Sequence, residues 1–285
     1  MRRRFFSNEK IDLSKNYLNI EALEDELTVS LSINECEYCV DNGSWIKLVP
    51  NTNTISINKG QTLYFRDNLT PTSNGIGTFT ISKKCNLKGN IMSLLYGDNF
   101  EGKTDLTRKR FAFCELFREC TNIVDASELI LPATTLAYGC YQYMFKGCSS
   151  LITAPELPAT TLANSCYTYM FDGCTSLTKA PELPATTLAI ACYQYMFKGC
   201  SSLITAPELP ATTLANSCYT YMFDGCSKLS YIKMLATDIS ASSCLTNWVG
   251  SVASTGTFVK HTDMTSLPTG TNGIPEGWTV ENYTV

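Results

Sequence analysis

Cysteine, tyrosine and histidine are the residue types in this chain that could do chemistry. The 285 residues include 14 cysteines and 15 tyrosines but one histidine, His261. A serine or cysteine nucleophile needs a base beside it, and nothing in the sequence converges on His261. The sequence also lacks a phosphate-binding loop, a His-Glu-x-x-His zinc motif and a calcium loop. We therefore predict that the chain is not an enzyme and has no catalytic residues.

The cysteines do not predict a metal site. Cys36 and Cys39 have zinc-type spacing, but no second pair accompanies them. We expect no metal and no cofactor. Most other cysteines recur at fixed spacing, which favours small buried side chains that remain reduced thiols. Disulfides between neighbouring cysteines are the alternative.

The cysteines recur because the chain repeats a 26-residue unit. PATTLAYGCYQYMFKGCSSLITAPEL at 132–157 returns at 184–209, changed only at Tyr138 and Gly139. A sister copy, PATTLANSCYTYMFDGCTSLTKAPEL, occupies 158–183 and begins again at 210–226. A period of this length is typical of a solenoid, in which each coil buries its apolar residues against the next.

Within one coil we expect a short strand at 151–154 that ends at Pro155, and a second extended piece at 160–162. A short helix over Cys166–Phe171 would follow, closed by Gly173. Stacked strands lie about 4.8 Å apart, so each repeat position should form a column. The first cysteine column would be Cys140, Cys166, Cys192, Cys218 and Cys244. The second would be Cys120, Cys148, Cys174, Cys200 and Cys226.

Tyrosines form the candidate ligand-binding surface. The first tyrosine column (Tyr141, Tyr167, Tyr193 and Tyr219) directly follows the buried cysteines, so we expect its side chains to point outward. With Gln142 and Gln194, and with Thr168 and Thr220 between them, it would bind a ligand. The alternative is that these rings pack on each other between coils. The second tyrosine column (Tyr143, Tyr169, Tyr195 and Tyr221) should be half-buried.

Charged residues form two further columns. Lys146, Asp172, Lys198 and Asp224 alternate in sign and could fix the register between coils. Glu156, Glu182 and Glu208 share one sign. They form either a solvated face or a site for a cation or basic ligand.

The regions outside the repeats give the domain organisation. Residues 1–16 are a polar tail, either flexible or a docking arm. Residues 17–97 alternate with period two and carry an Asn42-Gly43 hairpin signal, which predicts seven or eight strands in an Ig-like or jelly-roll-like β-sandwich. Residues 98–113 form a charged hinge, 114–260 the repeats and 261–285 a C-terminal cap. The predicted fold is mainly β with short helices.

The repeated MFKGCSSL and MFDGCTSL, each followed by a segment rich in Leu and Pro, resemble the BspA-like leucine-rich repeats. The resemblance covers about 114–260 and implies a right-handed solenoid in a surface adhesin or binding protein. The sandwich with NLKGNIMSLLYGDNF is similar to proteins encoded by phages and mobile elements of gut bacteria.

Composition and resemblance together limit the partners. The net charge of −4 argues against nucleic acid, and no apolar run is long enough for membrane insertion. The start MRRRFFSNEK lacks the apolar core of a secretory signal. We therefore predict a virion appendage, such as a tail fibre, that binds a protein or glycan on a cell surface. It would join a homo-oligomer or other virion proteins through its N-terminal region. A bacterial cell-surface adhesin and a structural spacer or oligomerisation element are the alternatives.

Overall fold

The computed structural model describes residues 9–32, 36–48 and 54–284, and their fold is mainly β. Within these residues no helix is both long and apolar enough to cross a bilayer. The elements in chain order are β1 (Asn19–Ala22), β2 (Leu27–Leu31), β3 (Glu37–Val40), β4 (Ile46–Lys47), β5 (Ile55–Ile57), β6 (Thr62–Arg66), β7 (Phe79–Ile81), β8 (Cys85–Asn90), α1 (Ser93–Tyr96), a 3₁₀ turn (Gly97–Asn99), β9 (Ile123–Ile130), β10 (Tyr231–Met234), β11 (Thr257–His261) and β12 (Thr279–Tyr283).

The N-terminal strands form two sheets. Six strands pair in the order β4-β3-β6-β1-β8-β9, and three pair in the order β5-β2-β7. The period-two pattern places Leu27, Val29 and Leu31 in the core; the predicted fourth member, Ile33, lies outside the described residues. The ring centroids of Phe65 on β6 and Phe79 on β7 are 5.0 Å apart, so the two sheets pack against each other.

The described part of the expected tail is bound to the β3–β4 hairpin. The amide of Ile11 donates to the carbonyl of Gly43, and the amide of Trp45 donates to the carbonyl of Glu9. Residues 1–8 of the tail lie outside the described residues. The hairpin forms as predicted, but its positive φ is at Asp41 (50°) rather than at Asn42-Gly43.

Hydrogen bonds join the N-terminal sheet to the repeats without a break. Strand β8 pairs in parallel with β9, and Asp125 of β9 forms a parallel bridge to Thr153 in the next coil. The segment expected to be a hinge belongs to the same stack, since the amide of Leu106 donates to Thr135 at 2.9 Å. Buried side chains from the sheets and the repeats form one continuous core.

Each repeat contains a turn segment, which we define as residues 138–148 and its equivalents 164–174, 190–200 and 216–226. The amide of Tyr141 donates to the carbonyl of Cys166 in the next coil at 3.0 Å, and that of Phe145 donates to Met170 at 2.9 Å. The amide of Tyr143, between them, also crosses to the next coil, whereas those of Gln142 and Met144 donate three residues back along the chain, to Gly139 and Tyr141. Alternate amides therefore hold neighbouring coils together, and the remaining amides hold each coil's own turns.

Every fourth residue of the turn segment has a left-handed backbone. Gly139, Tyr143 and Gly147 have φ values of 60°, 59° and 76°. The same conformation recurs in the later copies, at Ser165, Tyr169 and Gly173, at Ala191, Tyr195 and Gly199, and at Ser217, Tyr221 and Gly225. A right-handed helix cannot contain such residues, so the predicted helix over Cys166–Phe171 is wrong.

The remaining parts of the coils meet through isolated parallel bridges rather than the predicted short strands. Thr153 bridges to Lys179, and Thr135 bridges to Thr161. At the C-terminal end the bridges lengthen into the parallel sheet β10-β11-β12, in which Ile232 pairs with Phe258 as the repeat predicts. The indole of Trp278 donates to Ala253 at 2.7 Å and attaches the final segment to the stack.

Replacing a ring of the turn segment with serine should cost more stability in one tyrosine column than in the other. Tyr167 is almost completely buried, so Tyr167→Ser should lower the free energy of unfolding by about 3–5 kcal/mol. Tyr169 is half-buried, so Tyr169→Ser should cost about 1–2 kcal/mol. Urea unfolding measures both, and equal losses would contradict the assigned orientation.

Candidate functional site

The first tyrosine column is buried, so the prediction that it points outward is wrong. Tyr141 is 1 % exposed, and its ring lies parallel to that of Tyr167 at 5.6 Å. The stack continues through Tyr193 and Tyr219 at 5.8 and 6.1 Å and ends on Trp248. The alternative of packing between coils is the observed arrangement.

The four-residue period of the turn segment explains this orientation. In a strand, the residue after a buried cysteine would face solvent. Here two adjacent residues, such as Cys140 and Tyr141, face inward, and the next two, Gln142 and Tyr143, face outward. The rule of alternation therefore fails because the chain turns at every fourth residue instead of extending.

The polar residues next to the tyrosines divide in the same way. Thr168 is buried, and its hydroxyl donates to the carbonyl of Ala191 in the next coil at 2.7 Å. The hydroxyl of Thr220 likewise donates to the carbonyl of Ser243 in the following coil. Gln142 and Gln194 are half-buried at the surface. Of the predicted ligand-binding residues, only the two glutamines can meet a partner.

The second tyrosine column is the aromatic row that reaches the surface. Its members are half-buried, as predicted, and neighbouring ring centroids are 4.8, 4.2 and 4.9 Å apart with planes within 18° of parallel. Burial, followed by the neighbouring Tyr195, raises the pKa of Tyr169. The ring faces cover one another, so this surface offers ring edges and hydroxyl groups.

The column of alternating charge lies beside these tyrosines. Lys146 pairs with Asp172, and Lys198 approaches Asp224 to 3.5 Å. The ammonium of Lys146 also lies 4.8 Å from the ring centroid of Tyr169. Cation–π contact and ion pairing of this kind contribute little stability at an exposed site, but they fix where each charge lies.

The cysteines of both columns are buried, and all 14 in the chain are free thiols. In the second column the thiol of Cys148 donates to the carbonyl of Phe117 at 3.1 Å, and that of Cys174 donates to Phe145 at 3.2 Å. Burial raises the pKa of Cys140 to about 12. These groups stay protonated at neutral pH and satisfy buried carbonyls, so they are poor nucleophiles.

The glutamate column lies on another face. Glu156 and Glu182 are exposed along a cleft of about 210 Å³ that Pro155 and Pro181 also line. Glu208 forms an ion pair with Lys233 at 2.9 Å. Exposed carboxylates and this pairing are what a solvated face would show.

The N-terminal sheet contains a buried arginine with three carboxylate partners, an arrangement that the sequence did not indicate. Arg66 is 6 % exposed and donates hydrogen bonds to Glu9, Glu37 and Asp98. Its guanidinium carbon also lies 4.4 Å from the ring centroid of Trp45. A buried guanidinium requires such partners, and three carboxylates neutralise its charge here.

His261 is not part of a catalytic arrangement within the described residues. Its Nδ1 accepts a hydrogen bond from the amide of Asp263 at 3.1 Å, and no thiol or serine hydroxyl bonds to it there. In the same part of the chain no group of three or more His, Cys, Asp or Glu is placed to hold a metal ion.

A basic cleft at the start of the repeats was missed by the sequence analysis. It is an open cavity of about 650 Å³ between Thr70–Ser73 and Arg108–Phe111. The run LTRKRF at 106–111 could have indicated it, because three adjacent cations are conspicuous in an acidic chain. That run was assigned to a hinge instead.

Comparison with known proteins adds no relative. No protein-family model matches the chain, and no curated protein or solved structure is significantly similar to it. The BspA-like resemblance therefore stays a prediction.

Raising the pH above about 9 should lower the free energy of unfolding steeply. Thiols exposed by unfolding ionise near pH 8.5, whereas burial raises the pKa of Cys148, Cys174 and Cys200 in the folded chain. Their stabilising effect is complete below the unfolded pKa and is lost as the pH rises toward the folded pKa. The loss is about 1.4 kcal/mol per thiol per pH unit.

Urea unfolding from about pH 7 to pH 10 measures this dependence. The matched control carries Cys148→Ala, Cys174→Ala and Cys200→Ala, and its stability should fall less steeply with pH. An identical slope in the two proteins would contradict the role of these thiols.

Tyr141→Phe should stabilise the protein by about 1 kcal/mol. The hydroxyl of Tyr141 is buried and has no hydrogen-bond partner among the described residues, and removing an unsatisfied buried polar group removes its desolvation cost. Tyr143→Phe, at the half-buried neighbour, is the control and should be nearly neutral. A melting temperature that falls in Tyr141→Phe would show that its hydroxyl is satisfied.

Proposed function

We propose that this chain is a non-enzymatic recognition protein whose stacked repeats bind a protein or glycan on a cell surface. The proposed fold is an N-terminal Ig-like or jelly-roll-like β-sandwich followed by a right-handed, BspA-like leucine-rich-repeat solenoid. The parallel bridges between successive coils and the contact between the two N-terminal sheets support this fold. The observation that carries the function is the second tyrosine column with the charges beside it.

This surface is periodic, and its period supports binding to an extended ligand. The turn segments alternate between YQYMFKG and YTYMFDG. The same chemistry therefore recurs at every second coil, or about every 10 Å from the usual spacing of stacked strands. Weak contacts repeated along one ligand combine into strong binding, since each further contact forms at high local concentration.

The groups on this surface favour a polar ligand. The tyrosines offer hydroxyl groups, Gln142 and Gln194 offer amides, and Lys146 and Lys198 alternate with aspartates. Tyrosine gives contact area at low entropy cost, because it has few rotatable bonds. Ring faces are already stacked on each other, so a sugar would bind through hydrogen bonds rather than on an aromatic face.

The proposed location is a virion appendage such as a tail fibre, with a bacterial cell-surface adhesin as the alternative. Assembly partners, or further copies of the chain, would attach through the N-terminal region. In this proposal the N-terminal region attaches the protein and the repeats bind the ligand. The pairing of β8 with β9 supports it, because it joins the repeats firmly to the N-terminal sheets.

A structural spacer is the second candidate function. The continuous ring stack from Phe113 through the first tyrosine column to Trp248 favours it, because such a stack stiffens the array along its axis. In that case the repeats would set a distance and bind nothing along their length.

Binding to a panel of intact bacterial cells tests the recognition function. We expect the wild-type protein to bind some cells. Tyr→Phe at all four positions of the second tyrosine column should weaken that binding at least about tenfold, since it removes the hydroxyl groups and keeps the stacked rings. The matched control is Tyr→Phe at Tyr167, Tyr193 and Tyr219, which should bind as wild type does.

Unchanged binding by the second-column variant would remove this surface as the site. If wild-type protein binds no cells and light scattering shows a defined oligomer, the spacer function replaces recognition.

A further inference from the structure

The basic cleft concentrates positive charge on an acidic protein. Arg108, Lys109 and Arg110 line one wall. Lys103 lies close by, since its ammonium and that of Lys109 are 5.4 and 5.2 Å from the ring centroid of Tyr96. The whole chain has a net charge of −4, so the cleft stands out as a local site of positive potential.

These four cations have no ion-pair partner among the described residues. Asp105 is the acid nearest in sequence to the three that line the cleft, and its carboxylate accepts hydrogen bonds from Thr107. Those bonds, with a smaller contribution from Arg108, lower the pKa of Asp105. Of the residues that the structure describes, three cations and no carboxylate line the cleft, so its charge is positive.

Both walls of the cleft are held in place. The loop of the first wall is closed by the hydroxyl of Thr72, which donates to the carbonyl of Gly75 at 2.9 Å. Gly75 has φ of 81°, and a Cβ there would lie 2.6 Å from the carbonyl oxygen of Cys114, so only glycine allows the loop to pack this closely. In the second wall the amide of Phe111 donates to Tyr138. A preformed cleft loses little freedom on binding.

The polar groups of the cleft suit a carbohydrate better than a nucleic acid. Thr70 and Ser73 are exposed, and their hydroxyls make no hydrogen bond within the described residues. Bases bind single-strand sites by stacking on open aromatic faces. Phe111 is the aromatic residue that lines the cleft, and its ring packs at 82° to that of Tyr138, with 5.2 Å between centroids. Beside the cleft, Arg110 lies 4.9 Å from the ring centroid of Tyr138 and two lysines lie over Tyr96.

We propose that the basic cleft binds an anionic segment of a polysaccharide, with the cations holding its carboxylate, sulfate or phosphate groups and the hydroxyls of Thr70 and Ser73 bonding to the sugar. This site is separate from the second tyrosine column and does not depend on its function. The cleft and the column would contact different parts of a cell surface.

Titration of the full-length protein with heparin and with polygalacturonate, at about 50 mM salt, tests the proposal. Heparin carries sulfate and carboxylate groups, and polygalacturonate carries carboxylates alone. We expect at least one of them to bind, and neutral dextran to show no binding. A variant with Arg108→Gln, Lys109→Gln and Arg110→Gln should bind at least about tenfold more weakly.

The matched control removes three exposed lysines elsewhere, through Lys59→Gln, Lys84→Gln and Lys228→Gln, and should keep wild-type affinity. Arg108→Gln alone, at an exposed side chain, is a second variant that should keep the fold and weaken binding in the same direction. Equal loss in the control would make the effect one of net charge and overturn the site.

Two other results would also overturn the proposal. One is the absence of binding by wild-type protein to either polyanion. The other is equally tight binding of a single-stranded DNA of matched length, which would assign the cleft to nucleic acid. The cell-binding assay of the tyrosine variants can succeed or fail independently of these outcomes.

Discussion

The division of backbone amides in the turn segments is the constraint on which the repeat structure depends. Every second amide, such as that of Tyr141, crosses to the next coil, and the others close turns within their own coil. A helix would use all of its amides internally and leave neighbouring coils joined by side chains alone. A strand would need a neighbouring strand on each side to satisfy all of its amides. In the turn segment, half of the amides hydrogen-bond within their own coil, and the other half join that coil to the next one.

This hydrogen-bond pattern requires a left-handed backbone at every fourth residue, and tyrosine and glycine occupy the last two of those positions in each turn segment. Glycine occupies the last left-handed position of each turn segment, as Gly173 does with φ of 76°. A Cβ on Gly173 would lie 3.7 Å from Gly147, an ordinary contact distance, so the backbone conformation rather than space favours glycine there. Tyrosine occupies the middle position, although a bulky residue with φ near 58° is strained. Stacking of each ring on its neighbour in the column stabilises that conformation. The tyrosines that look like a binding surface are thus also a structural requirement.

The sequence predicted what depends on the period of the repeat, and missed what depends on the path within one coil. Residues at equivalent positions of successive repeats were predicted to form columns, and the rings of Phe145 and Phe171 do stack, with 5.6 Å between their centroids. The direction of Tyr141 was not predictable from alternation, because nothing in the letters CYQYMFKG distinguishes a strand or helix from consecutive turns. The strands of the N-terminal sheets were easier to predict, since the period-two pattern at Leu27 and Val29 corresponds directly to a buried face.

The basic cleft was missed for a different reason. Its two walls are about forty residues apart in sequence, and the packing of Gly75 against Cys114 that brings them together leaves no local pattern. Charge in a connecting segment is usually solvated, so Arg108 and its neighbours were assigned to a hinge. Only the fold shows that a loop of hydroxyl-bearing residues faces them.

The alternating charges along the turn segments limit how the array can change in length. Lys146, Asp172, Lys198 and Asp224 follow one another in neighbouring coils, so each charge has an opposite neighbour. Losing one inner coil, 158–183 or 184–209, would place lysine beside lysine or aspartate beside aspartate. Gaining or losing two coils together would preserve every pairing. A change in length by two coils therefore keeps the charge pattern of this surface, whereas the loss of one inner coil interrupts it.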